Sequence, residues 1–284
     1  MSRKTFYDIL ESMEIDPAKE YERIDNMFSR EGAIDSYGSP PSTLQSYINK
    51  RYFRTFSFRG THTDISEMLS LIFKGKGPFD VDFDTLFTYF EFLLAVFCEK
   101  NVLHDILIAQ SHQATTIIQN IKLIVNKTNH ELYNTGDANS PKYIIVENNK
   151  STTQAVELVN DQTVAIELIE YNHHSMKGDL EGKRKSLLAI ADYIEPILKS
   201  RKLQDNGYKQ LESDVGFLLN CFHIRHNNKT GSKAQDYITS IDDEQLEEWY
   251  DNAYNTMLSV IIISEEIGVS AELTGLKQTY NWKR

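Results

Sequence analysis

The segment Cys221–Gly231 reads C-F-H-I-R-H-N-N-K-T-G, with two imidazoles, a guanidinium, two carboxamides and an ammonium group close together. Cleaving RNA without a metal needs a base for the 2′-hydroxyl, an acid for the leaving oxygen and a cation for the phosphorane charge. His223, His226 and Arg225 have the chemistry for those roles, and Asn227, Asn228 and Lys229 the chemistry to hold an RNA backbone. A helix running through the cluster puts His223 and His226, three apart, on one face and turns Arg225 elsewhere. The plainer reading of the same letters is a helix C-terminus, where cations meet the dipole and asparagine tolerates a left-handed turn.

The elements around this cluster are mostly helical. The run Val215, Phe217, Leu218, Leu219, Cys221 and Phe222 predicts a helix from Tyr208 to His226. Ser240 and Asp243 have capping-box spacing and predict the start of the last long helix after a loop over Lys229–Thr239. Its acidic run, Asp242 to Asp251, reads as a helix N-terminus and a solvated face rather than a metal site. Upstream, Asp179 to about Lys202 predicts a long helix that Pro196 should kink or split. Ser151 or Thr152 is placed to cap a helix to Val159, and Thr163–Asn172 predicts the next.

Towards the N-terminus, helices are expected over Thr5–Met13, Pro17–Phe28, Thr43–Tyr52 (capped by Ser42), Ile65–Phe73 (after Asp64), Asp82–Glu99 and about His104–Lys127. The stretch Gly32–Pro41 reads as a break, Phe53–Gly60 as a strand or extended loop, and His130–Asn148 as a β-hairpin. The fold expected is mainly α, one or two helical bundles with a small β-hairpin near residues 130–148. The hairpin divides an N-terminal region, residues 1–150, from a C-terminal bundle, residues 151–284.

Three further segments offer chemistry. Arg51, Arg54 and Arg59 alternate with aromatics in R-Y-F-R-T-F-S-F-R-G, a pattern that fits single-stranded RNA or, more plainly, a half-buried strand. Lys183, Arg184 and Lys185 read as the solvated start of a helix, with phosphate contact as the alternative. Asn172-His173-His174 reads more plainly as a helix end than as a metal pair, because adjacent histidines do not share a helix face, and a metal-dependent hydrolase using His173, His174 and distant acids ranks last.

The run L-L-N-C-F-H-I-R-H-N-N-K-T-G, followed by a loop and an acidic-capped helix, resembles the R-[NH]-x-x-x-x-H region of HEPN-type helical domains. The segment Ile169–Glu195 similarly resembles prokaryotic abortive-infection proteins, so the resemblance spans about Ile169–Glu266. It implies a phage-defence or toxin-type protein, a metal-independent ribonuclease, with Arg225 on the phosphate and a homodimer that pairs two motifs. Thr230 stands where the family's catalytic histidine is expected. Either His226 or His223 substitutes, or the domain keeps the fold without cleavage. The competing function is a non-enzymatic helical module that binds a partner protein.

Composition bounds these readings. The net charge is −11, so binding to nucleic acid must come from a local basic patch. No Walker, Rossmann, nucleophile-elbow, zincin or EF-hand motif is present, and no cofactor or metal is expected. Cys98 and Cys221, each in an apolar run, read as reduced, buried thiols. The longest apolar run, Leu86–Phe97, contains Glu91 and is too short to span a bilayer. With acids arriving early in the N-terminal segment, a cytoplasmic protein is expected.

Overall fold

The structure is a computed structural model and describes residues 14–32, 34–36, 39–108, 111–137, 140–226, 229–230, 232, 236–280 and 282. The helix expected over Thr5–Met13 and the residues Asn227, Asn228 and Gly231 lie outside the described residues. The chain divides into two compact units, Met1–Glu147 and Asn148–Arg284, and each has its own apolar core. Among the described residues no helix is long and apolar enough to cross a membrane.

The architecture is mainly α. In the N-terminal unit α1 (Pro17–Asp25) is capped by Asp16 and continues into a π turn at Asn26–Arg30. The Gly32–Pro41 break holds a short ladder, β1 (Ile34–Ser36) with β2 (Ser39–Ser42), and in a two-stranded ladder the prolines sit at an edge. Helix α2 (Leu44–Arg51) is capped by Thr43 rather than Ser42, because the Thr43 hydroxyl accepts the Ser46 N–H. Next come α3 (Ile65–Phe73), α4 (Phe83–Cys98), α5 (Val102–Ile108) and α6 (Gln113–Lys127). The helix expected over His104–Lys127 is thus two, and the Ser111 N–H turns back to the Ile106 carbonyl at the break.

The Phe53–Gly60 strand is not formed; a 3-10 turn occupies Phe53–Thr55. Phe53 and Phe56, three apart, enter the core together, a spacing that suits a turn and not a period of two. The hairpin does form, β3 (His130–Asn134) against β4 (Tyr143–Glu147), with Leu132 opposite Ile145. It also explains the acid in the longest apolar run: Glu91 on α4 accepts the Ile145 N–H at 2.7 Å.

The C-terminal unit contains α7 (Lys150–Leu158, capped by Asn149), α8 (Gln162–Glu170, capped by Asp161), α9 (Leu180–Lys199) and the short α10 (Lys202–Asp205). Helix α11 (Lys209–Cys221), one turn α12 (Asp236–Thr239) and the 37-residue α13 (Asp243–Thr279) complete it. Pro196 does not split α9; in the last turn it deprives the helix of a single N–H. The α13 capping box is Asp242 with Gln245, not Ser240 with Asp243. Ile241 before the cap and Leu246 after it both join the core, the arrangement of a hydrophobic staple. Cys98 and Cys221 are not joined in a disulfide and are only half buried, rather than fully buried as expected.

Candidate functional site

Helix α11 ends at Cys221, five residues before the point expected from its apolar pattern. Two anchors force the stop. Phe222 and Ile224 are both buried, and residues two apart can point inward together only if the backbone leaves the helix. Phe222 stacks on Trp249 of α13 with ring centroids 4.7 Å apart, and Ile224 has no exposed surface. Between them His223 takes a left-handed conformation, φ +60°, and the Arg225 N–H reaches back to the Leu219 carbonyl at 3.0 Å. His223 and His226 therefore do not share a helix face; they meet through a turn.

That turn fixes the chemistry of His223. Its Nδ1 lies 3.2 Å from the His226 carbonyl oxygen, which can only accept, so the proton of the neutral ring sits on Nδ1 and Nε2 is the basic nitrogen. Burial, with the positive charges of Arg184 and Lys229 nearby, holds this imidazole below the usual histidine range. Arg184 also holds the turn itself: its Nε donates to the His223 carbonyl at 2.6 Å, across 39 residues of sequence. His226 is exposed. Arg225 is half buried and leans over α9, its Nη2 3.5 Å from the Ala191 carbonyl and its charge close to Glu195. Lys229 reaches Asp243 in the first turn of α13, at 3.3 Å.

The basic string at the start of α9 is divided by function. Lys183 is buried, and its ammonium lies 2.7 Å from both Glu247 and Asp251 of α13 and over the ring of Tyr171. It holds α9 to α13 and is not available to a phosphate. Arg184 serves the His223 turn, and Lys185 is exposed. The acidic run on α13 is correspondingly not all solvated face, since Glu247 and Asp251 are the partners of Lys183. His173 caps a 3-10 turn by accepting the Ser175 N–H, and His174 is buried beside it.

Arg51, Arg54 and Arg59 belong to the N-terminal unit. Arg51 lies against Tyr47, with its guanidinium 5.1 Å from the ring centre. Arg59 donates to the Arg54 and His62 carbonyls and so closes its own loop, while Arg54 is exposed. Phe53 and Phe56 are buried and Phe58 is half exposed, so few of the interleaved rings face a base.

Arg184 is the residue that sequence reasoning placed elsewhere. Its charge stands in the basic string, but nothing local in sequence links it to His223. No family model, no curated protein and no solved structure matches the chain.

Proposed function

We propose that the C-terminal unit is a HEPN-like ribonuclease of phage-defence or toxin type that cleaves RNA in the cytoplasm without a metal. The observation that carries this reading is the state of His223. A neutral imidazole with Nδ1 tied to a backbone carbonyl presents Nε2 as a base near pH 7. His223 takes the proton of the 2′-hydroxyl, the 2′-oxygen attacks phosphorus, and the 5′-oxygen leaves with a proton from His226. Arg225 and Arg184 supply positive charge for the phosphorane. Thr230, in the position of the family histidine, has no acid–base role in this scheme.

The test is cleavage of mixed RNA in EDTA by the purified full chain and by His223→Asn, His226→Ala and Arg225→Ala. Asparagine tolerates the left-handed turn, so His223→Asn removes the base and keeps the backbone. Loss of activity by about 100-fold or more is expected from removing either histidine. The acid limb of the rate profile should fall below pH 6.5, because a lowered pKa keeps the base deprotonated there. No cleavage by the wild type, or cleavage only with added metal, overturns the proposal. The first of those results favours the partner-binding module.

A further inference from the structure

The last third of α13 has no core to cover it. Every described residue from Val269 to Tyr280 is exposed, including Leu273 (49 %), Leu276 (55 %) and Tyr280 (76 %). The eleven of these residues that are helical extend a helix already nucleated in the core, but no tertiary packing adds to their stability and their apolar side chains remain in water. The apolar positions Ile262, Val269, Leu273, Leu276 and Tyr280 are spaced by seven, four, three and four, which keeps them on one stripe. The stripe begins inside a groove of about 310 Å³ between α7 and α13, walled by Leu158, Ile262, Val269 and Leu273 and edged by Glu265 and Glu266.

We infer that this surface binds a second copy of the same chain, α13 against α13 in antiparallel order. One alignment satisfies both shape and charge. Val269 of each copy faces Leu273 of the other, Tyr280 enters the groove at Ile262, and Lys277 comes level with Glu265 and beside Glu266. The ridge and one wall of the groove that receives it lie on the same helix, so a two-fold axis fills both grooves at once and leaves no open end. The overlap, Ile262 to Tyr280, extends over about 27 Å of helix. It is centred near position 271, about 42 Å along the axis from Asp243 at the other end. This pairing therefore does not depend on the His223 turn or on the ribonuclease reading.

The test is the mass of the full chain in solution at about 1 to 100 µM, by light scattering and sedimentation. The wild type is expected to be a dimer, and Leu273→Glu a monomer with unchanged helical circular dichroism, because the residue is exposed. Lys277→Glu, and separately the pair Glu265→Lys with Glu266→Lys, should each weaken the dimer at least tenfold. Combining all three substitutions should restore it. A monomeric wild type overturns the inference, and so does a dimer that survives Leu273→Glu. Weakening by Lys277→Glu that the compensating pair does not repair overturns the antiparallel alignment. Mass measurement and RNA cleavage are separate readouts, so failure of one leaves the other legible.

Discussion

Replacing Lys183 by methionine keeps the volume of the side chain and removes its charge. The ammonium is 2.7 Å from Glu247 and 2.7 Å from Asp251, and the lysine side chain is 8 % exposed. Without it, two carboxylates one turn apart on α13 are left side by side against α9, and the Tyr171 hydroxyl still donates to Asp251 at 2.8 Å. Losing one partner of a fully buried pair costs about 3–5 kcal/mol. Glu247 is mostly covered, but Asp251 is about half exposed and screened by water, so about 2–3 kcal/mol is expected here.

Both tryptophans, Trp249 and Trp282, are in the C-terminal unit, so their emission during urea titration reports on that unit alone. With a slope of about 2 kcal/mol per molar, the midpoint should fall by roughly 1 M. In a double-mutant cycle Lys183→Met and Glu247→Gln should couple by about 1–2 kcal/mol. Burial by itself raises the Glu247 carboxyl, but the Lys183 ammonium and the Gly178 N–H outweigh it and hold the group below 4.5. A depressed carboxyl stabilises the fold above its unfolded value, and that contribution is lost as pH falls through the folded one. The wild type should therefore lose stability below about pH 4.5. The Lys183→Met deficit should shrink there, as the orphaned Glu247 protonates. Additive single-variant costs, or a midpoint shift below about 0.3 M, would refute the reasoning.

Three further outcomes follow from the helix ends. His223→Gly should change stability by less than about 0.5 kcal/mol in urea, because relief of the left-handed strain is offset by the entropy of glycine. Ile224→Ala should cost about 2–5 kcal/mol in the same titration, since Ile224 pins the turn in the core. Asp242→Ala should cost about 1 kcal/mol by removing the carboxylate that accepts the Gln245 N–H.

Helices with a strong apolar period could be placed from the sequence nearly to the residue. The pattern Leu86, Phe90, Leu93, Leu94, Phe97 gives α4 within one residue at each end. The turn-rich stretch followed by Tyr143–Val146 gives the β3–β4 hairpin. Errors gathered where two local readings compete. Neighbouring hydroxyl and carboxylate residues are equivalent as caps until the backbone chooses one, so Thr43 replaced Ser42 and Asp242 replaced Ser240. The aromatic alternation of Phe53–Gly60 fits a strand, yet burial of Phe53 with Phe56 selects a turn.

For the cluster at Cys221–Gly231, the sequence by itself determined which groups are present and that a helix leads into them. It could not determine that the helix stops at Cys221, because the apolar pattern runs on through Phe222 and Ile224. Only packing decided that, by burying both residues against elements far away in sequence. The same holds for the charges: Lys183, Arg184 and Lys185 are alike in a string, and tertiary structure gives one to α13, one to the His223 carbonyl and one to solvent. Side-chain type and spacing are local, but Phe222 is buried against Trp249, 27 residues away, and His223 is held by Arg184, 39 residues away, which no local pattern encodes.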